Sequence, residues 1–414
     1  MMRPDILAPA GDPEKLRFAV DYGADAVYLA GKAYGMRSAS DNFSREEIKE
    51  AVQWCHARGV LVYVTVNTLP REPELEMLPD YLAFLDECGV DALILADLGV
   101  LSLAKKYAPR CKIHISTQTS IVNSEAARMW HSLGASRVVL ARELSLEEIR
   151  SIREHTPPEL ELETFVHGSM CMAYSGRCVL SNYLASRDAN HGACAQPCRW
   201  KYQVVEEYRP GEYMPVVEDE KGVYIFNSKD MNLLPYIDKL AQAGICSFKI
   251  EGRVKTAYYA AVVTGAYRRA TELYAADPEH YAPPQSLLDE VHKVSHRQYF
   301  TGFYFGDKQT QQMGDSRYIR QWDVCAVVEE CTPDGRAKLK HKNRFAASDV
   351  LELLIPGQDA REIVLEDMRD AEGQELSLAN VPHMTVYAKL PIYAPPRSIL
   401  RRKKDEGLGK SDTL

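Results

Sequence analysis

The chain has 414 residues, 50 Lys and Arg against 58 Asp and Glu for a formal net charge of -8, and 46% hydrophobic residues. That length allows two or three domains, and that apolar fraction excludes general disorder. No stretch approaches ~18 uncharged apolar residues, so no membrane span is expected, and the net charge excludes a wholly basic nucleic-acid coat while leaving room for a local basic patch.

The start, Met1-Met2-Arg3-Pro4-Asp5, runs straight into a strand-like segment without the apolar core of a signal peptide, so the expected location is cytoplasmic. Ten cysteines there should be reduced thiols, metal ligands or catalysts. From 1 to 270 one unit recurs: an amphipathic helix, a glycine, a short apolar strand. Asp12-Pro13 opens a helix that Gly23 ends. Ser44-Arg45-Glu46-Glu47 and Ser145-Leu146-Glu147-Glu148 are capping boxes ahead of apolar residues at helical spacing. The frames Gly23–Ala30, Gly89–Ala96, Gly134–Ala141 and, loosely, Gly244–Glu251 resemble one another. They are read as strands two, four, six and eight of an α/β, TIM-like (β/α)8 barrel, with odd strands near 5–10, 60–66, 112–118 and 160–167. A doubly wound open sheet would explain the alternation too, but no phosphate-binding glycine fingerprint accompanies it. The barrel is expected to occupy residues 1–280.

Residues 169–227 interrupt it with a Cys-rich, turn-rich insertion where one helix should be. Four of the ten cysteines, Cys171, Cys178, Cys194 and Cys198, lie there with spacing C-x6-C-x15-C-x3-C. The scattered six (Cys55, Cys88, Cys111, Cys246, Cys325, Cys331) read as small apolar residues. The four sit among Gly168, Ser169, Ser175, Gly176, Gly192 and Pro197, a composition that packing alone would organise poorly, so a metal centre is expected. Four thiolates suit tetrahedral zinc or an iron–sulfur cluster. Zinc ribbons usually carry C-x2-C pairs, which are missing, while His191 beside Cys194 keeps a mixed zinc site open. A radical S-adenosylmethionine motif fails because position 201 is Lys. A nucleophilic Cys171 assisted by His167 is the competing chemistry.

A barrel places its site at the C-terminal strand ends. Lys249, Glu251 and Arg253 alternate, which would put three charges on one face of the last strand and argue for a polar ligand in the mouth. A structural ion pair closing the barrel is the other reading. Glu163 and His167 share parity and would line the same mouth, with a satisfied core histidine as the other reading of His167. Gln118, Arg142, Glu143, Arg37 and Lys229 are further rim candidates. Two guanidinium clamps would hold a dicarboxylate, with Arg253 first and Arg37 or Arg142 second.

Residues 281–317 read as a helical and aromatic linker, with Tyr299, Phe300, Phe303, Tyr304 and Phe305 as linker core or as a base-stacking platform. Residues 318–396 read as a small C-terminal β-barrel domain and 397–414 as a basic, then polar tail that frays. Within the β domain, Arg336, Lys338, Lys340, Lys342 and Arg344 fall on every second residue. A strand would project all five from one face, either as a solvated edge strand or as an RNA backbone site.

The stretch 163–181, ETFVHGSMCMAYSGRCVLS, closely resembles the signature of the collagenase-like peptidase family U32. LAPAGDPEKL at 7–16, YGMRSASDNFS at 34–44, SKD at 228–230, KIEGR at 249–253 and SHRQYFTGF at 295–303 look like the same family, so the resemblance spans nearly the whole chain. It implies a 4Fe–4S cluster, with Cys171, Cys178, Cys194 and Cys198 where the family's ligands are expected, and shifts the choice away from zinc. Members of this length with a small C-terminal β domain act in tRNA hydroxylation, converting the wobble uridine to 5-hydroxyuridine without molecular oxygen and with prephenate as hydroxyl source. The resemblance therefore implies tRNA and prephenate, or a similar small carboxylate, as partners. With the strand-end positions above, His167 and Glu251 are the candidate catalytic residues and Arg253, Lys249, Arg37, Arg142, Gln118 and Lys229 the candidate substrate-binding residues. A collagenase-like protease, or an iron–sulfur scaffold working with a paralogous subunit in RNA or ubiquinone-precursor hydroxylation, are the alternatives.

Overall fold

A computed structural model describes residues 3–35, 41–170, 178, 180–189, 192–197, 229–306 and 318–404, together with paired backbone at Glu218–Asp219 and Gly222–Val223. Arg37, Cys171, His191 and Cys198 lie outside the described residues.

The N-terminal half is a closed barrel. Strands β1 (Asp5–Pro9), β2 (Ala26–Leu29), β3 (Leu61–Val66), β4 (Ala92–Leu95), β5 (Lys112–Ile115), β6 (Arg137–Val139) and β7 (Glu161–Ser169) pair in parallel and in order. A short strand β8 (Asp230–Asn232) is added antiparallel to β7, and β9 (Ser247–Ile250) pairs in parallel with both β7 and β1, closing the ring of eight. The helices between strands begin where the sequence signals say. Asp12 caps α1 (Pro13–Asp21) by accepting from the Lys15 amide at 2.8 Å. Ser44 and Ser145 both complete reciprocal capping boxes, each satisfying two orphan N–H groups. The longest helix, α2 (Ala257–Ala276), lies against α1 and covers β1 from outside. No helix among the described residues is long and apolar enough to cross a membrane.

The second half is an antiparallel sheet. Its strands are β10 (Trp322–Cys331), β11 (Arg336–His341), β12 (Leu351–Leu354), β13 (Arg361–Ile363), β14 (Glu366–Arg369), β15 (Thr385–Lys389) and β16 (Ile399–Lys403), in spatial order β13-β12-β16-β10-β11-β15-β14. It encloses its own core of Cys325, Val328, Leu339, Leu351, Leu353, Val386 and Leu400.

One expectation changes here, and one pair of alternatives is decided. The basic run at 397–404 is not a frayed tail: β16 lies inside the sheet, bonded to both β10 and β12. Arg401 is 0% exposed, and its guanidinium sits between Glu290 (2.5 and 2.8 Å) and Glu352 (2.8 Å), which is why a run of basic residues is tolerated inside a fold. Of the two readings of the aromatic linker, core packing is the one seen, apart from the exposed Phe305. Phe300 and Tyr304 are buried in the barrel's outer core, Tyr299 is half-buried, and Tyr299–Phe300 pairs with β8 as an added strand.

Candidate functional site

The inward positions of the barrel strands follow their two-residue period. Tyr63, Thr65 and then Asn67 come from β3, and His114, Ser116 and then Gln118 from β5. Low in the barrel, Glu163 (1% exposed) accepts from Lys249 at 3.1 Å, Arg137 at 3.1 Å and Ser247 Oγ at 3.0 Å. Burial favours neutral Glu163, but Lys249 and Arg137 outweigh it and hold the carboxyl below its usual range. Burial and the cations Arg137, Lys249 and Lys112 push His114 well below the usual imidazole range, so the ring is neutral. Lys249 is therefore half of a buried ion pair beneath the mouth, its ammonium 4.7 Å from the centre of the Tyr28 ring.

Above this layer the mouth is polar. Arg253 is 4% exposed, with Nη1 3.4 Å from Thr65 Oγ1. Asn67 Nδ2 donates to Ser116 Oγ at 3.4 Å, and Ser116 Oγ lies 3.5 Å from Gln118 Oε1. Among the described residues, Asn67 Oδ1 and Gln118 Nε2 are buried without a hydrogen-bond partner. An acceptor and a donor left unsatisfied at one opening cost free energy unless a ligand or water meets them. Arg142 is buried, donates to the Ser169 carbonyl at 3.0 Å and lies 5.2 Å from the centre of the Phe165 ring. Burial, the largest influence, raises the Glu143 carboxyl above its usual range. The sequence reading named Gln118, Arg142 and Arg253 but passed over Thr65, Asn67 and Ser116. The signal was present: polar residues on every second position of the apolar strands ending at 66 and 115.

His167 is elsewhere. The β7–β9 register slips between Lys249 and Ile250, whose partners are Phe165 and His167, so β7 carries one extra residue. This bulge reverses parity. His167 leaves the mouth and packs among Tyr259, Tyr267 and Tyr299, with Nδ1 3.4 Å from Tyr267 Oη and Nε2 3.3 Å from Tyr299 Oη. Burial pushes its pKa down to about 3. Gly168 follows at φ +107°, where a Cβ would stand 2.6 Å from the Glu251 carbonyl oxygen. Likewise β9 ends at Ile250, so the expected alternation stops. Arg253 reaches the mouth, whereas Glu251 lines an outer cavity. Lys229 is half-buried beside Asp230, which accepts from the Arg297 amide at 3.1 Å.

Two of the four clustered cysteines are described. Cys178 is half-buried and Cys194 exposed, and the Cys194 sulfur accepts from the Gln196 amide at 3.3 Å. Ser181, on the short helix Leu180–Ala185 that follows Cys178, accepts from the Ala195 amide at 2.9 Å, tying that helix to the segment that carries Cys194. Two cysteines on segments held together in this way suit a metal centre. Among the described residues no group of three ligating side chains forms, and Cys171 and Cys198 fall outside them. The scattered cysteines contrast: burial pushes the Cys55, Cys111 and Cys325 thiols up to about 12 and that of Cys246 to about 11, as inert apolar residues.

The basic stripe is a strand, β11, but not an edge: it pairs with β10 and β15. Arg336 and Lys340 are exposed. Lys338 pairs with Glu329 at 3.1 Å, while Lys342, past the strand's end, reaches Glu14 of the barrel at 3.6 Å. Arg344 is exposed.

Comparison with known proteins matches residues 11–314 to the model of peptidase family U32 and residues 320–401 to the family's C-terminal domain. A Bacillus subtilis (strain 168) protein named tRNA hydroxylation protein P1 is 37% identical over 97% of this chain and 95% of its own length. An uncharacterised protease of Methanocaldococcus jannaschii is 41% identical over 74% of each chain. The 23S rRNA 5-hydroxycytidine C2501 synthase of Escherichia coli K12 is 38% identical over 64% of this chain and 39% of its own length. The barrel, the cysteine-bearing insertion and the C-terminal sheet thus all fall within matched segments, and the chain belongs to peptidase family U32.

Proposed function

We propose that this protein hydroxylates RNA, converting the wobble uridine of tRNA to 5-hydroxyuridine with a small carboxylate such as prephenate as hydroxyl source. The observation that carries the reading is the end-to-end likeness, through both domains, to a relative named for tRNA hydroxylation. Replacing H by OH at C5 oxidises the pyrimidine by two electrons, and a donor whose C–OH becomes C–H is reduced by the same amount. In the mouth, Arg253 is the guanidinium for the donor's carboxylate, with Arg142, or Arg37 outside the described residues, as the second clamp, and the Asn67 and Gln118 groups orient its polar part. Glu251, facing the outer cavity, is the candidate to move a proton. Cys171, Cys178, Cys194 and Cys198 would hold a 4Fe–4S cluster. When bound, such a cluster supplies electron transfer or an iron that ligates oxygen. A paralogous subunit is a candidate partner.

A cysteine protease fits less well. Its base would be His167, which is neutral, walled in by tyrosines and turned toward α2. The discriminating test is deletion of the gene followed by mass analysis of wobble uridines. The hydroxyl should vanish, return with the wild-type gene and stay absent with Cys178→Ser or Cys194→Ser. Gelatin cleavage by anaerobic protein, abolished by Cys171→Ser, would favour the protease instead.

A further inference from the structure

A cavity of about 1070 Å³ separates the barrel from the C-terminal sheet. It exceeds the roughly 300–1,000 Å³ of pockets that enclose one small molecule. One wall is the C-terminal end of the barrel: Ser169 and Met170 after β7, Glu251 after β9, and Cys194 of the insertion. The opposite wall is the sheet, with Trp322, Lys342 and Lys404.

Its charge is unlike that of the whole chain. Lys15, Lys255, Arg320, Lys342 and Lys404 line it against Glu14, Glu251 and Asp323, in a protein of net charge -8. Lys404 pairs with Asp323 at 3.2 Å and Lys342 with Glu14 at 3.6 Å, both at the surface, whereas Lys15 to Asp12 (2.8 Å) is mostly covered and Lys255 lies 4.0 Å from the buried Asp230. Exposed pairs such as the first two are weak, so a phosphate can replace their carboxylates at little cost. Arg320 donates to the Ser295 hydroxyl at 3.2 Å. Trp322 and Tyr318 add aromatic surface, with the Lys255 ammonium 4.1 Å from the centre of the Tyr318 ring. Cations mixed with aromatic rings in a trough of this size fit an unpaired polynucleotide segment, whose phosphates and bases demand both.

We propose that this cleft, rather than the outer face of the sheet alone, receives a single-stranded RNA loop, with Arg320, Lys342 and Lys404 on its phosphates and its target base directed at the wall that carries Cys194. The proposal rests on the RNA-modifying reading above and deepens it by naming the route. Of the five stripe residues, Lys342 alone faces this cavity, so β11 delivers the outer strip to the cleft's rim.

The test is tRNA binding by the full chain across a salt series. Arg320→Glu with Lys404→Glu should weaken binding at least tenfold at 0.1 M salt and reduce the slope of log affinity on log salt by about one to two. Arg128→Glu, an equal charge change per site on a remote exposed helix, should leave both unchanged. Glu14→Gln removes the acid competing for Lys342 and should tighten binding about twofold, an effect misfolding cannot mimic. If wild type binds tRNA and the cleft variants bind as well as wild type, the cleft assignment is overturned while the RNA reading stands. If wild type binds no tRNA, the RNA reading itself fails. Equal weakening by Arg128→Glu would mean general charge, not the cleft.

Discussion

Glu163 shows how one carboxylate serves structure in a site that looks catalytic. It accepts from Lys249, Arg137 and Ser247 inside the barrel, beneath the mouth. Glu163→Gln should lower stability by about 3–5 kcal/mol, because two buried cations lose their counter-charge. A shift of the urea midpoint measures it, and a midpoint within error of wild type would refute the role. The sign with pH follows from the lowered carboxyl. The folded state holds this proton less tightly than the unfolded chain, so the stabilisation is present above the unfolded pKa of about 4.3 and lost as pH falls below it. His167 acts in the same direction. Its pKa of about 3 lies below the unfolded value of about 6.5, so folding loses stability as pH falls from 6.5 toward 3. Arg253 is the opposite kind of residue, buried at the mouth beside groups that want a ligand. Arg253→Ala should raise the prephenate concentration needed for half-maximal hydroxylation at least tenfold, in line with a charge-assisted bidentate contact, and leave the cluster's absorption unchanged. An unmoved dose response would remove Arg253 from the site.

At the scale of elements, β11 carries alternating cations in the interior of a sheet, where lysines are not needed to guard an edge. Lys338→Glu with Lys340→Glu should weaken tRNA binding severalfold and flatten its salt dependence, and unaffected binding would confine RNA to the cleft. The barrel strands were legible in the sequence because Gly-Ala-Asp-Ala-Val-Tyr and its three relatives repeat a helix stop followed by an apolar run. The strand at Arg336–His341 was legible because alternation is itself the strand's period. The bulge in β7 was not: one extra residue leaves no trace in composition, yet it turns His167 from the mouth to the helix layer. Nor was β16, because the partners that neutralise Arg401, Glu290 and Glu352, are 111 and 49 residues away. Parity arguments hold only while the ladder is regular, and charge arguments only while the partners are local.

Across the whole molecule the two halves are joined rather than strung together. Arg401 of the sheet bonds Glu290 of the linker and Tyr258 of α2, and Tyr22, just past the end of α1, donates to the Arg397 carbonyl at 3.1 Å. That junction fixes the width of the cavity between them, which is where the insertion brings Cys194. The barrel thus has a polar mouth that carries Arg253, the junction a trough lined by lysines, and the insertion brings Cys194 to the wall of that trough. Everything chemical in this account depends on the four clustered cysteines gripping iron. The most direct measurement is iron and acid-labile sulfide in protein purified without oxygen. The account predicts about four of each per chain, falling sharply in Cys178→Ser and Cys194→Ser. Stoichiometric zinc without sulfide, or no metal at all in freshly prepared anaerobic protein, would contradict it.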